Sequence, residues 1–431
     1  MKMASLLKKN FFLLMLGKLV SLIGTQMQNF ALSLYVLRIT GSATKFASVL
    51  AVTLIPQLIL GPFAGVFVDW FDRKKIIVYL DLAAGLLVGG YAVLYMVNGG
   101  LSLSSIYVLA IALSIIFLIF QPAITTVIPS IVEKDELVDA NGVNSFIMSI
   151  GNLAAPALAG VLFGFYGLSI ILIINAISFI FSSICEMFLS IPKNNRMPEK
   201  VDAKVFIKDF GEGIKFVKAN KLILNIMIMA LIVNFFADPV FSIGSTYISK
   251  QIIKISDLQY GTMESIIVIA LIIAPFFSSI VSRKMSMCKI IVVNLIMSGI
   301  FILILAIIPS PFYLNMFKGN TVPYISMIVV FFIIVLITTI LNIGLGAFFQ
   351  QQVPISMMGR VSTLMSTICM AAMPLARMIF GVLFDKIPAY TCIAICGAAL
   401  VISMLLLKNG LYEAENTQET LIKVQEEIET I

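Results

Sequence analysis

The sequence predicts an all-α polytopic membrane protein of twelve transmembrane helices, arranged as two six-helix bundles with both termini cytoplasmic. Three observations carry this expectation. First, 60% of the 431 residues are hydrophobic and only 12% are charged, whereas a soluble domain carries about 25% charged residues. A soluble fold of this size has no interior able to hide that surplus, and disordered chains are poor in apolar residues. Second, apolar runs long enough to cross a bilayer recur along the whole chain, six on each side of one long charged segment. Third, the lysines and arginines fall unevenly on the loops between those runs.

The runs lie near 11–36, 46–68, 76–97, 104–127, 141–165 and 168–191, then near 222–247, 258–281, 289–308, 324–349, 361–384 and 388–407. The first begins like a signal peptide, but it is too long and no small-residue cleavage site follows, so it is read as span 1. Residues 1–191 form the amino-terminal bundle, 192–221 a cytoplasmic linker, 222–407 the carboxy-terminal bundle and 408–431 an acidic tail expected to be a solvated helix. The linker residues from Ala203 to Ala219 are amphipathic, as in a helix lying along a membrane surface. With the amino terminus inside, cytoplasmic segments hold 21 of the 29 basic residues and outer loops hold six. The remaining two, Lys18 and Arg377, lie within spans. Positive charge stays on the inner side, which sets the orientation.

Composition also excludes chemistry. With no histidine, every histidine-based metal or catalytic constellation is ruled out. The five cysteines, Cys185, Cys288, Cys369, Cys392 and Cys396, show no paired CxxC spacing and are read as packing residues. No GxSG elbow and no pair of catalytic carboxylates on one helix is present, so an enzyme is not expected, and neither is a cofactor or metal. The net charge of +7 is an orientation signal and not a nucleic-acid footprint.

The two halves echo each other. Span 4 runs into FQPAITTVIPS and span 10 into FQQQVPIS, while Pro156 before GVLFG in span 5 matches Pro374 before GVLFD in span 11. Between spans 2 and 3, GPFAGVFVDWFDRKK sets Gly65, then Asp69 four residues on, then the basic cluster beginning at Arg73. This segment resembles the loop signature of the major facilitator superfamily, although Trp70 and Asp72 replace its usual basic residue and glycine. GNLAAPALAG in span 5 resembles that family's antiporter motif through Gly151, Pro156 and Gly160. The segments at 120–141 and 349–362 look like those of the macrolide-efflux and enterobactin-exporter branch of drug:proton antiporters. The resemblance implies a six-plus-six bundle with alternating access, in which Gly65, Asp69, Arg73, Gly151, Pro156 and Gly160 act as a conformational gate. An arginine midway along span 4, common in drug-exporting members, is absent here.

In this architecture spans 1, 4, 7 and 10 line the cavity. Span 1 offers Lys18, Ser21, Thr25 and Gln28 at helical offsets 0, 3, 7 and 10, span 4 Gln121, span 7 Asn234 and span 10 Asn342. Charges inside spans are costly and mark function. Asp238, Arg377 and Glu264 fall at about the same depth in spans 7, 11 and 8, so Arg377 is expected to pair with Asp238, Glu264 or both. Such a cluster is a candidate proton-coupling site, and a static pair fixing helix packing is the other reading. Lys18, Asp81 and Glu186 form an inner set read as structural, with Asp81 able to pair with Arg73.

The expected function is secondary active transport by a monomer in the bacterial cytoplasmic membrane. Its partners are the lipid bilayer, protons and a small amphipathic substrate, exported as macrolide-like drugs are. The alternatives are a dedicated siderophore or natural-product exporter, a lysolipid transporter, and a non-transporting sensor or immunity protein of the same fold.

Overall fold

The computed structural model describes residues 9–61, 71–132, 137–191, 211–212, 214–353 and 355–429. Among them every regular element is helical, and eleven segments are long and apolar enough to cross a membrane. In a bilayer no water serves an open backbone, so each crossing must satisfy its own N–H and C=O groups, which a helix does.

Before the linker the described residues include the helices α1 (Lys9–Thr40), α2 (Ala43–Val52), α3 (Arg73–Asn98), α4 (Leu103–Ile131) and α5 (Leu137–Met187), and the span begun by α2 continues to Gly61. Their starts are set by short polar side chains that accept the orphan N–H groups of the first turn. Ser42 accepts from Lys45 N, Asp72 from Lys74 and Lys75 N, and Ser102 from Ser105 N. The apolar stretch of α5, Phe146–Met187, runs for 42 residues and is two helical arms joined at Gly167, whose φ of 73° is open to glycine and strained for a branched residue.

After the linker, α6 (Lys221–Phe236) passes at Pro239 into π-helical turns at Val240–Gly244 and Ile248–Ile252. Proline withholds an N–H, and the helical register widens where that bond is missing. Then follow α7 (Asp257–Lys284), α8 (Met287–Ile307), the short α9 (Pro311–Asn315), α10 (Thr321–Gln352), α11 (Ile355–Lys386) and α12 (Ala389–Glu429). The last helix continues from span into tail without a break. Leu411 and Ala414 are buried in the core, and Glu415 accepts from Ser286 Oγ and Cys288 N at the start of α8. The start of the tail therefore packs on one face, through Leu411 and Ala414, while Asn409, Gly410 and Glu413 are exposed.

The chain clusters into two compact units, Met1–Val201 with Ser249–Ile269, and Asp202–Ile248 with Ala270–Ile431. In the first, Phe11, Leu14, Ile77, Ile124 and Val127 from α1, α3 and α4 form a core. In the second, Leu222, Ile291, Leu341 and Leu411 join α6, α8, α10 and α12. The outward faces are apolar too: Phe165, Val97, Leu406 and Phe276 are 80%, 76%, 76% and 73% exposed. On a soluble protein such faces would be a liability, and against lipid they are the solvated surface. All five cysteines are free and four are buried.

The backbones of α8 and α12 approach most closely at Gly299 and Gly397. A Cβ on Gly397 would lie 2.9 Å from Gly299 O and 2.9 Å from Leu303 Cγ. Small residues at such a crossing allow dense packing between helices that lipid does not push together. Gly397→Leu is expected to destabilise the second unit by roughly 1–3 kcal/mol or more. Thermal unfolding of the purified protein should show a lowered Tm, with the lipid-facing Ile395→Leu unchanged.

Candidate functional site: an amide-lined cavity and two charged clusters

The first unit encloses a cavity of about 560 Å³ between α1, α2, α4 and both arms of α5. Its polar wall follows from helical spacing. Lys18, Ser21, Thr25 and Gln28 lie on one side of α1, and Gln57, Gln121 and Asn175 contribute from the neighbouring elements. Phe46, Phe117, Phe120 and Phe179 supply the apolar wall. Lys18 is the single charged side chain among the described lining residues.

The amides satisfy each other in pairs. Asn175 Nδ2 donates to Gln28 Oε1 at 2.7 Å, and Gln26 Nε2 donates to Asn152 Oδ1 at 2.5 Å. Lys18 Nζ donates to Asn144 Oδ1 at 2.6 Å. Buried polar groups need partners, so these pairs hold the wall in place while leaving spare donors and acceptors toward the cavity. Asn175, Asn144, Asn152, Gln26 and Gln57 were not singled out from sequence. A readable signal did exist for Asn175, because Asn175, Ser178, Ser182 and Glu186 recur every three or four residues and mark one face of a helix.

In the second unit, Arg377 on α11 meets Asp238 just beyond α6. Arg377 Nε donates to Asp238 Oδ2 at 2.7 Å and its terminal nitrogen to Oδ1 at 2.8 Å, a two-pronged pair with side chains 13% and 10% exposed. Ser242 Oγ donates to the Asp238 carbonyl at 2.8 Å. Phe235 and Phe236 stand edge-on to Phe380 three residues along from Arg377, so the pair sits beside an aromatic cluster. Glu264, half-buried on α7, belongs to the first unit.

A second charged cluster lies where the first arm of α5 crosses α7. A Cβ on Gly261 would meet Pro156 O at 2.4 Å, and one on Gly160 would meet Asp257 O at 2.6 Å, so only glycine permits this backbone approach. Asp257 is held by Arg38 at 2.6 Å and by Lys250 at 2.8 Å, while the Arg38 guanidinium lies 4.5 Å from the Phe163 ring centre. Gly151 packs against Leu22, whose side chain a Cβ would strike.

The other predicted residues are more scattered. Thr25, Gln28 and Gln121 line the cavity, Asn234 donates to its own helix at Ala230 O, and Asn342 is exposed on α10. Gly65 and Asp69 lie outside the described residues, and Arg73 opens α3. Asp81 faces Ser182 and Glu186 rather than Arg73. No group of three or more histidine, cysteine, aspartate or glutamate residues suited to a metal occurs among the described residues.

Removing one partner of a buried ion pair strands the other, at a cost of about 3–5 kcal/mol, whereas replacing both with apolar side chains is often neutral. Arg377→Met is therefore expected to lower the unfolding temperature of the purified protein, and the double variant Arg377→Met with Asp238→Leu to recover most of it.

Comparison with known proteins bears on what this site serves. The Major Facilitator Superfamily matches residues 14–376. Macrolide efflux protein A of Streptococcus pyogenes is 24% identical over 391 residues, covering 88% of this chain and 90% of the relative. Macrolide efflux protein A of Enterococcus faecalis is 25% identical over 343 residues, covering 76% and 98%. Among solved structures, a bacterial homologue of the iron transporter ferroportin superposes with a TM-score of 0.66 at 19% identity, covering 94% of this chain and 98% of that one.

Proposed function

The chain belongs to the Major Facilitator Superfamily, and from that premise we propose that this multi-pass cell-membrane transporter exports amphipathic, macrolide-like compounds in exchange for protons by alternating access. The carrying observation is the cavity. At about 560 Å³ it falls in the range that holds drug-sized ligands, and its phenylalanine walls with a few placed amides suit a large, weakly polar molecule. The names of the Streptococcus and Enterococcus relatives point the same way.

The finer features of this reading form one scheme. The chain crosses the membrane twelve times, α5 twice about Gly167, with both termini cytoplasmic, one bundle over 1–191 and the other over 222–407, and it acts as a monomer. Asp238, Glu264 and Arg377 are the coupling candidates. Asp238 released from Arg377 takes up a proton, and re-pairing expels it, so the ion pair and the proton exclude one another. Gly65, Asp69, Arg73, Gly151, Pro156 and Gly160 act as the conformational gate. It performs no covalent chemistry on its substrate.

One observation favours a second reading, export of an acidic natural product such as a siderophore, or of a lysolipid. Lys18 is bonded to a neutral amide, which leaves its positive charge for an anionic group of the ligand.

Cells expressing the protein should accumulate several-fold less radiolabelled erythromycin than empty-vector cells, and a protonophore should abolish the difference. Asp238→Asn is expected to remove efflux at normal expression, and unchanged efflux in that variant would exclude Asp238 from coupling. Lys18→Gln separates the two readings: it preserves macrolide efflux under the first and loses transport of lysophosphatidic acid under the second.

A further inference from the structure

Asp81 on α3 and Glu186 near the end of α5 face each other in the interior of the first unit, 2% and 1% exposed. Asp81 Oδ2 and Glu186 Oε2 each lack a hydrogen-bond partner among the described residues. Ser182, wholly buried beside Asp81, has an unpartnered hydroxyl as well. Three buried polar groups thus gather in one place with hydrogen-bonding capacity left unmet among the described residues. Two carboxylates in such a place cannot both be ionised without a cation.

The charged groups on the packed elements do not supply that cation. On α1, Lys18 is engaged with Asn144, and Lys9 lies exposed at the helix start. On α3, Arg73, Lys74 and Lys75 occupy the first turn, six to eight residues before Asp81. The helix α4 carries no charged residue. On α5, Asp139 lies at the far end of the other arm, and Cys185 adjoins Glu186.

The position of the space is informative. Asn175, Ser178, Ser182 and Glu186 form one face of the second arm of α5, about one turn apart from each other. At the upper end Asn175 lines the cavity and bonds Gln28, and Ser178 Oγ donates to the Asn175 carbonyl at 2.8 Å. The lower end is the carboxyl pair. Glycines on α1 face this stripe at Gly17 and Gly24, so α1 lies close against it and shields it.

We propose that Asp81 and Glu186 form a proton-binding site of the first unit, which shares one proton in its resting form and takes up a second along the serine face from the cavity. The pair cycles between a singly protonated form of charge −1 and a doubly protonated neutral form. The arriving proton forms an O–H bond on a carboxylate oxygen, and the leaving one passes to a neighbouring hydroxyl or water. The role of this site in transport rests on the proton-coupled reading above, while its occupancy does not.

Infrared titration of the purified protein in lipid, with no substrate added, reads the site directly. A carboxylic-acid carbonyl band is expected to persist at neutral pH, to change reversibly with pH, and to be lost in Asp81→Asn and Glu186→Gln but kept in the surface variant Glu413→Gln. Should those variants fail to fold, Ser182→Ala is expected to shift the band of the otherwise intact protein. A wild-type spectrum showing only carboxylates at neutral pH, a band that never responds to pH, or a carboxyl signal that follows sodium rather than pH would overturn the proposal. Erythromycin efflux measured in parallel keeps the two questions apart. A titrating band without efflux sinks the macrolide reading alone, and efflux without the band sinks this site alone.

Discussion

The constraint on which the rest depends is that a polar group drawn out of water inside a membrane must find its partner within the chain. Backbone groups meet it by forming helices, and side chains meet it by pairing. In the cavity wall this produces amide-to-amide bonds, Asn175 with Gln28 and Gln26 with Asn152. In the second unit it produces the two-pronged Arg377–Asp238 pair. Where the constraint is met by only part of a group's capacity, as at Asp81, Ser182 and Glu186, the remaining capacity is the natural place for an exchangeable proton.

Close helix packing sets where those pairs occur. Without a hydrophobic drive between helices in lipid, contact relies on shape, and glycines make the closest contacts. Gly299 and Gly397 join α8 to α12 in one unit, and Gly160 and Gly261 join α5 to α7 in the other. Around the second crossing Arg38, Lys250 and Asp257 gather. Arg38 is half-exposed, so screening leaves this cluster modest in energy, and its contribution is to orient rather than to hold.

Much of the candidate site was legible from periodicity. The α1 stripe through Lys18, Thr25 and Gln28 faces the cavity because offsets of three and four residues share a helix face. Equal depth along two spans also brought Arg377 and Asp238 into one layer, where they pair. Other residues were not legible. Asn342 and Asn234 have suitable spacing, yet one is exposed and the other bonds its own backbone. The spacing of Asn175, Ser178 and Ser182 marks a polar helix face, but that this face meets the cavity depends on the helix's rotation about its axis, which its own spacing does not encode.

The sequence by itself determined that this chain lives in a membrane, that it is built of apolar helices, and which few charges lie within them. Those properties follow from composition and local spacing, and any folded arrangement must respect them. Only the tertiary structure decided which polar residue meets which. Asp81 faces Glu186 and Ser182 instead of Arg73, and Arg377 meets Asp238. The reason is physical: a partner is chosen by distance across helices, and that distance is set by the small residues that let two backbones touch.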